Sequence, residues 1–325
     1  MTETLVDGDL TLRRAVPSDA ADIAALYNEA DVQHWMLWEP EEFDQAEALA
    51  NIRRSEEAWS EGSNAPFRIV ADGHVVGGVN LNFREYDVAE VAYFLRASAR
   101  GRGLGTRAVL LAVDWGFRER RLARVQLRVD PANTSSVALA DRAGFTYEGT
   151  ERSSAAYPDG HRVDSLVYSM LPSERVALRP ATEADVDFLT ETAMAATEDQ
   201  GRFPADLDRA AYREGYRDWT LQQVRGEVPD SATWVITAYG VDIGRLRVVR
   251  TTDLVELAGL QLLPAHQARG IGTRLIRDLM AEAASTGRGF GLSVEKDNPR
   301  AQALYERLGL LVVGEDGEEW VLRLP

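Results

Sequence analysis

The sequence predicts an α/β protein of two tandem domains, each a central mixed β-sheet flanked by helices. Strand-like and helix-like apolar patterns alternate along the whole chain. A glycine-rich segment occurs twice, each time between a strand-like run and a helix-like run. Matched residues keep a near-constant separation, since Leu178 follows Leu12 by 166 residues and Gly270 follows Gly103 by 167. A repeat this long indicates a duplicated domain, because solenoid units recur about every 20 to 50 residues.

The domain boundary can be placed from the same repeat. A chain of 325 residues has room for about two ordinary domains. Residues 170–174 form a seam, where a strand-like run gives way to proline and polar residues. We therefore expect an N-terminal domain over residues 1–172 and a C-terminal domain over residues 173–325.

The composition restricts the possible chemistry. Cysteine is absent, which excludes disulfides, thiolate metal sites and a cysteine acyl-enzyme. The four histidines do not have the spacing of metal ligands, so no metal is predicted. The net charge of -16 argues against nucleic-acid binding, which needs a basic face, and is compatible with cationic substrates such as amines.

The sequence also bears on location and partners. No apolar run approaches the roughly 18 residues that a membrane span needs, and the N-terminus does not resemble a signal peptide. We therefore expect a cytoplasmic protein without a membrane partner, either a monomer or a homodimer.

The first half predicts its elements in order. Strands are expected over residues 10–14, 67–71, 74–82, 89–95, 124–129, 147–155 and 163–170, and helices over residues 44–59 and 106–117. Two further helices begin at caps, one at Ser18 with acidic residues after it and one at Asn133. Asp72-Gly73, between two of the strands, is typical of a hairpin turn.

The second half repeats this plan. Strands are expected over residues 176–179, 233–238, 242–250, 254–263 and 289–294, with two closing strands after the last helix, and helices over residues 210–225 and 273–284. Thr182 and Asn298 each start a further helix, and Tyr239-Gly240 predicts a second hairpin turn.

The two glycine-rich segments are Arg100-Gly101-Arg102-Gly103-Leu104-Gly105-Thr106 and Gln267-Ala268-Arg269-Gly270-Ile271-Gly272-Thr273. Neither has the spacing of a dinucleotide fingerprint, and neither has the Gly-Lys-Ser/Thr of a P-loop. Small residues let the main chain approach an anion, while the amides and the dipole of the helix start favour negative charge. Each segment therefore predicts a pyrophosphate site. The alternative is an ordinary tight turn that leads into a helix.

Further residues make both halves resemble the GCN5-related N-acetyltransferase (GNAT) superfamily, along essentially the whole chain. The first half is similar to the ribosomal-protein N-terminal acetyltransferases at Leu12-Arg13, Glu90-x-x-Tyr93-Phe94, Asn133-x-x-Ser136 and Asp159-Gly160-x-x-x-Asp164. The second half is similar to general amine acetyltransferases at Gln261-Leu262-Leu263-Pro264 and Asn298-x-x-Ala301-x-x-Leu304-Tyr305-x-x-Leu308-Gly309.

This resemblance implies acetyl-CoA as the cofactor of both halves, with its pantetheine arm between two strands that splay apart. The implied cofactor-binding residues of the first half are Leu95, Arg100, Gly101, Arg102, Gly103, Leu104, Gly105, Thr106 and Asn133. Those of the second half are Leu262, Gln267, Ala268, Arg269, Gly270, Ile271, Gly272, Thr273 and Asn298.

Candidate acids lie on the helix after each Asn. Acetyl transfer requires loss of a proton from the ammonium and addition of one to the leaving thiolate, and without cysteine direct attack in a ternary complex is the natural route. Tyr305 lies where the family has its thiolate-protonating tyrosine, whereas the first half has Ala140 there. Ser136 is four residues earlier on the same helix face and can supply a hydroxyl instead. The alternatives are a packed aromatic for Tyr305 and a helix cap for Ser136.

The candidate bases are Glu90 and Glu256, on the strand before each glycine-rich segment. Glu90 precedes Arg100 by 10 residues, and Glu256 precedes Gln267 by 11. A difference of one residue turns a strand side chain to the opposite face, unless the connecting turn absorbs it. Either glutamate could act through a water. The alternative is an exposed strand residue without a catalytic role.

In this superfamily the acceptor pocket forms between the first two helices, their connecting loop and the last hairpin. The resemblance therefore implies acceptor contacts from Trp35, Trp38, Tyr157 and Asp164 in the first half and from Glu198 and Trp219 in the second. Because these sets differ in composition, we expect the two halves to have different acceptors.

Together these features predict an acyltransferase, namely an acetyl-CoA-dependent N-acetyltransferase that modifies a primary amine. The acceptor is expected to be a protein or peptide N-terminus or a small-molecule amine. An alternative is that one half is catalytic and the other is a non-catalytic scaffold or sensor module that binds acyl-CoA.

Overall fold

The computed structural model describes residues 4–36, 42–204 and 206–325. It divides into two compact units, Met1–Leu171 and Pro172–Pro325, and each unit contains a β-sheet with helices packed against it. Each sheet includes one parallel pair of strands among antiparallel pairs in its described part. The predicted fold class is therefore confirmed.

The described part of the first unit forms an eight-stranded sheet. Its strands are β1 (Thr4–Asp7), β2 (Leu10–Arg13), β3 (Asn64–Ala71), β4 (His74–Phe83), β5 (Val88–Leu95), β6 (Arg124–Val129), β7 (Thr146–Ala156) and β8 (Arg162–Met170). Its helices are α1 (Ala20–Tyr27), α2 (Ala30–Trp35), α3 (Gln45–Glu61), α4 (Leu104–Glu119) and α5 (Thr134–Ala143). The strand order is β1-β2-β3-β4-β5-β6-β8-β7, with β5 parallel to β6.

The second unit, within its described residues, forms a seven-stranded sheet. Its strands are β9 (Val176–Pro180), β10 (Ser231–Ala238), β11 (Val241–Arg250), β12 (Leu254–Leu262), β13 (Gly289–Glu295), β14 (Leu311–Asp316) and β15 (Glu319–Arg323). Its helices are α6 (Val186–Asp199), α7 (Arg209–Val224), α8 (Ile271–Ser285) and α9 (Pro299–Arg307). The strand order is β14-β15-β13-β12-β11-β10-β9, with β12 parallel to β13.

The helix that follows each glycine-rich segment is held to its sheet by one apolar face. In α4, Leu104, Ala108, Ala112 and Trp115 are all buried, at spacings of three and four residues. Helix α8 buries residues at similar spacings and packs against β12 and β13. This burial fixes the start of each helix, and with it the glycine-rich segment.

Two short elements lie outside the predicted set. Strand β1 has only four residues and pairs with β2 at the edge of the sheet, while α2 has six residues, too few to show a helical period. The predicted Ser18 cap is wrong. Ser18 lies inside a short helical turn, Pro17–Asp19, which begins after Val16, and the Asp19 carboxylate accepts the Val16 amide at 2.9 Å and two hydrogen bonds from Arg13.

Both predicted hairpin turns are confirmed. Asp72 and Gly73 have φ values of 53° and 81°, and Tyr239 and Gly240 have values of 56° and 73°. Two successive left-handed residues match the twist of the flanking antiparallel strands. In the described ranges, no helix combines the length and the apolar character that a bilayer span requires.

Candidate functional site

The first glycine-rich segment leaves open space at the start of a helix. Gly101 and Gly103 both have a φ of 76°, and a Cβ on either residue would meet nothing within 4 Å. The first amides of a helix have no partner within that helix, and the helix dipole adds partial positive charge there. The start of α4 at Leu104 therefore suits an anion.

The second segment has the same geometry with one difference. Gly270 has a φ of 75° and directly precedes α8, as Gly103 directly precedes α4. Ala268, at the place of Gly101, has a φ of 59°. The left-handed conformation costs a non-glycine residue roughly 1–2 kcal/mol, so Ala268 is strained.

Replacing Ala268 by glycine should relieve this strain. We expect Ala268→Gly to raise the free energy of unfolding of the second domain by about 0.5 to 1 kcal/mol, because the relieved strain exceeds the entropy that glycine adds to the unfolded chain. Urea denaturation measures the change. The matched Gly101→Ala should lower the stability of the first domain by a similar amount, since its Cβ has open space and only the backbone opposes it. A lower free energy of unfolding in the Ala268→Gly protein would contradict the proposed backbone strain at Ala268.

A cavity of about 610 Å³ opens at the start of α4. The predicted cofactor residues that line it are Leu95, Arg100, Gly101, Gly103, Leu104, Gly105, Thr106 and Asn133. Ser136 lines the same cavity, so the structure brings this candidate acid together with them. The Arg102 guanidinium instead forms ion pairs with Asp72 at 3.0 Å and with Asp9 at 3.8 Å.

Each sheet has a gap beside its glycine-rich segment. Within the described strands, β5 pairs with β6 only over Val88–Glu90, whereas it pairs with β4 up to Leu95. Strand β12 likewise pairs with β13 only over its first four residues, Leu254–Leu257. The remaining edge of each strand can therefore offer backbone hydrogen bonds to an extended ligand with amide groups.

The first residue of each segment anchors the preceding strand. Arg100 donates from Nε and Nη2 to the Leu95 carbonyl at 3.1 and 3.0 Å, and Gln267 donates from Nε2 to the Leu262 carbonyl at 3.1 Å. Arg100 also forms an ion pair with Asp31 at 2.8 Å. Arg and Gln share a planar N–H donor that can reach back five residues. In both segments this side chain holds the loop in place.

Ser136 has a hydrogen-bonded partner inside the first cavity. The Tyr93 hydroxyl donates to Ser136 Oγ at 2.9 Å, and Tyr93 also lines the cavity. Asn133 caps α5 by accepting the Ser136 amide at 3.1 Å, so the serine side chain does not perform the capping. Burial raises the pKa of Tyr93, which keeps its phenol protonated. Because Ser136 Oγ accepts this hydrogen bond, its own proton is available to another acceptor.

Tyr305 lies at the corresponding helix of the second unit. Asn298 caps α9 by accepting the Ala301 amide at 3.1 Å, as Asn133 does for α5. Tyr305 then matches Ala140, which is fully buried in the first unit. Burial raises the pKa of Tyr305, so its phenol stays protonated at neutral pH.

Glu90 and Glu256 occupy equivalent strand positions despite their different spacing. Glu90 faces Asn82 on β4, and Glu256 faces Val249 at the same point of β11. The extra residue of β12 is accommodated by a β-bulge at the Arg247–Val248 step. The bulge thus accounts for the one-residue difference in spacing. The connecting turn does not absorb it, and the two glutamates lie at equivalent positions of their strands.

The Glu90 carboxylate is engaged by neighbouring side chains. It accepts hydrogen bonds from Arg128 and from Gln126, the second at 3.3 Å, and Arg84 lies 3.7 Å away. In the second unit, Glu256 lies 4.0 Å from Arg323. These contacts of Glu90 with Gln126 and Arg128 tie β5 to β6.

A second cavity, of about 630 Å³, adjoins the first at Trp35. Two of the predicted acceptor residues, Trp35 and Tyr157, line it. Asp164 has another role, because its Oδ1 accepts the amide of Ser153 at 2.8 Å where β7 bulges at a φ of 54°. Trp38 lies outside the described residues.

The predicted acceptor residues of the second unit have separate partners. Glu198 forms an ion pair with Arg209, near the start of α7. Trp219 is 41% exposed and lies 5.5 Å below the Arg247 guanidinium. Both side chains are thus paired with arginines.

Several cavity residues, among them Tyr93, Asp130 and His161, were not among the predicted site residues. Tyr93 belongs to the motif that carries the family resemblance, which was a usable signal. Asp130 accepts a hydrogen bond from Tyr157 at 2.7 Å, and His161 stacks on the Tyr157 ring at 5.0 Å between centroids. Asp130 directly follows β6, and the carboxyl end of a strand is a common ligand position in α/β sheets. His161 carries no comparable sequence signal.

Comparison with known proteins finds one family in both halves. A model described as an acetyltransferase (GNAT) domain matches residues 9–146, and a model described as the acetyltransferase (GNAT) family matches residues 193–310. The uncharacterized N-acetyltransferase p20 of Bacillus licheniformis is 30% identical over 176 residues, which are 53% of this chain and 98% of that protein.

Two further relatives have more specific names. The putative ribosomal N-acetyltransferase YdaF of Bacillus subtilis is 28% identical over 176 residues, which are 52% of this chain and 94% of that protein. Spermidine N(1)-acetyltransferase of Escherichia coli is 29% identical over 141 residues, which are 42% of this chain and 73% of that protein.

Proposed function

Because this chain belongs to the GNAT acetyltransferase family and is an acetyl-CoA-dependent N-acetyltransferase, we propose that its first domain transfers acetyl directly to a primary amine in a ternary complex. The hydrogen bond from Tyr93 to Ser136, inside the cavity at the start of α4, carries this proposal. It places a hydroxyl with a supporting donor beside the predicted cofactor residues.

The residues of the first cavity fit acetyl-CoA. The start of α4 offers amides to a diphosphate, and Arg142 on the cavity wall adds positive charge. The edge of β5 beyond Glu90 offers backbone hydrogen bonds to an extended chain. A volume of about 610 Å³ also lies within the range of about 300 to 1,000 Å³ that is usual for such pockets. When bound, acetyl-CoA supplies a thioester-activated acetyl group.

In the proposed reaction, the neutral amine forms a C–N bond with the acetyl carbon while the C–S bond breaks. The ammonium first loses one proton to solvent. Ser136 then protonates the departing thiolate and regains a proton from the new amide nitrogen, so the protons balance. Tyr93 donates a hydrogen bond to Ser136 Oγ and positions it. Glu90, bonded to Arg128 and Gln126, ties β5 to β6.

For the second domain we infer the same reaction with a different acid. Tyr305 protonates the thiolate, and burial, which raises its pKa, keeps it in the protonated form. Gln267 holds the entry to the glycine-rich segment, and Asn298 starts the helix that presents Tyr305. The residues expected at the acceptor side differ from those of the first domain, which supports two different acceptors.

The test is acetylation of a panel of amines by the full chain. The names of two relatives refer to a ribosomal N-acetyltransferase and to spermidine, so the panel includes short peptides with free N-termini and small amines. Release of free CoA and the mass of the product are measured. Acetyl-CoA binding without acetylation of any amine would contradict the proposal and favour a sensor module.

Two variants assign the reaction to a domain. Ser136→Ala and Tyr305→Phe are assayed separately against the same panel. If each variant abolishes the acetylation of a different acceptor, both domains are catalytic. If only one variant loses activity, the other domain is a scaffold. If neither variant slows any acceptor, both proposed acids are wrong.

A further inference from the structure

The cavity next to Trp35 has aromatic walls. The ring centroids of His34 and Tyr157 are 5.4 Å apart, and those of Tyr157 and His161 are 5.0 Å apart. All three residues line the cavity of about 630 Å³. Trp35 also lines the cofactor cavity, so a ligand held here lies next to the proposed site of acetyl transfer.

Two carboxylates, Asp130 and Asp159, line the same cavity. Asp130 accepts hydrogen bonds from the Tyr157 hydroxyl and the Ala132 amide, both at 2.7 Å. Burial, together with this hydrogen bond, raises the pKa of Tyr157 to about 12, so Tyr157 remains a neutral donor. Asp159 has the His161 ring at 3.9 Å. The ion pairs of the described residues include no arginine or lysine at either carboxylate.

The second domain has a carboxylate, Glu295, at the position equivalent to Asp130, and this carboxylate has a cationic partner. Glu295 precedes the helix-capping Asn298 by three residues, as Asp130 precedes the cap of α5, and both carbonyls accept the amide of their Asn. Arg202 forms ion pairs with Glu295 and with Asp297, the latter at 3.1 Å. In this domain a guanidinium from the α6–α7 segment therefore neutralises the carboxylate.

The first domain has no such cation in the matching stretch of sequence. Residues 28–44, which lead from α1 to α3, contain six Asp and Glu residues and no Arg or Lys. Asp130 is half-buried, and a carboxylate is stabilised by a cationic partner through charge-assisted hydrogen bonds. A cation from outside the chain can therefore take the place at Asp130 that Arg202 takes at Glu295 in the second domain.

We propose that the acceptor of the first domain is a small amine with a second positive charge, which binds at Asp130 and Asp159. The neighbouring rings of His34, Tyr157 and His161 contact the carbon chain between the two charges and add cation–π attraction. The inference rests on the proposed function, because it specifies the substrate class of the same domain.

The experiment compares 1,4-diaminobutane with 1-aminobutane, which have the same carbon chain and differ by one charge. The full chain carries Gly270→Asp, which confines acetyl transfer to the first domain, and calorimetry verifies that one acetyl-CoA still binds. We expect kcat/KM for the diamine to exceed that for the monoamine by about tenfold or more. The ratio should fall toward one in Asp130→Asn, and it should also fall as salt concentration rises.

Two further variants make the result decisive. Asp159→Asn should lower the ratio by a smaller factor, because its side chain is 73% exposed. Asp164→Asn removes a carboxylate from β8 outside the cavity and keeps an acceptor for Ser153, so the ratio should be retained. Equal reactivity of the two amines in the parent protein, or a ratio that survives both cavity variants, would overturn the inference. Failure to acetylate any amine would instead contradict the proposed function.

Discussion

Replacing Ser136 by alanine is expected to lower kcat of acetyl transfer in the first domain by about 10²-fold or more. A positioned general acid contributes roughly 10²- to 10⁴-fold, and Ser136 is the proposed donor to the thiolate. The KM for acetyl-CoA should change little, because the glycine-rich segment is unaltered. CoA release by the full chain with Gly270→Asp, which isolates the first domain, measures the effect.

A variant of Tyr93, the hydrogen-bond partner of Ser136, tests whether the two hydroxyls act together in the reaction. Tyr93→Phe removes only the hydroxyl that donates to Ser136 and should lower kcat by about tenfold. If the two residues act as a unit, adding Tyr93→Phe to Ser136→Ala should cause little further loss. Tyr147→Phe, which removes an exposed hydroxyl bonded to Thr150, serves as the control and should keep full activity. A loss of kcat in the double variant equal to the product of the two single losses would show that Tyr93 and Ser136 act independently.

A single carboxylate at Gly103 should weaken acetyl-CoA binding at one of two sites. The unmodified chain is expected to bind two acetyl-CoA molecules by isothermal titration calorimetry. Gly103 has open space beside it, and Asp tolerates a positive φ, so Gly103→Asp should fold normally. Its charge repels a diphosphate at the start of α4. We expect a loss of affinity of about 10²-fold at that site, or roughly 3 kcal/mol.

Matched variants distinguish charge from shape. Gly103→Asn has the same size and the same tolerance of a positive φ, and it should keep both sites. Gly270→Asp should remove the other site, since Gly270 has the same conformation before α8. A stoichiometry of one acetyl-CoA in the unmodified chain would contradict the two-site proposal. Equal losses in the Asp and Asn variants would point to shape as the cause.

The candidate bases illustrate where counting along the chain reaches its limit. Spacing predicts either opposite faces for Glu90 and Glu256 or a compensating turn. The structure has a bulge in β12 that places both at equivalent positions. A bulge depends on the pairing of two strands, so it leaves no reliable mark in the sequence of either one. The engagement of Glu90 by Arg128, 38 residues away, is likewise a product of the sheet.

The acceptor side shows the same limit. The sequence marked the aromatic residues near α2, but it did not distinguish Tyr157, which lines a cavity, from Asp164, which holds a bulge. Both lie on one hairpin and both are polar. Their roles differ because Tyr157 lies in the turn between β7 and β8, whereas Asp164 lies within β8 and bonds to the bulge at Ser153.

By itself the sequence determined the duplicated α/β architecture, the two hairpin turns and the family, because these follow from local patterns: apolar periodicity, glycines with positive φ, and short motifs at strand and helix ends. Tertiary structure alone decided which side chains meet. It brought Tyr93 to Ser136, and it paired Arg202 with Glu295 while leaving Asp130 to Tyr157. Such contacts join residues that are distant in sequence, so their geometry is set by strand order and helix packing and not by any local pattern.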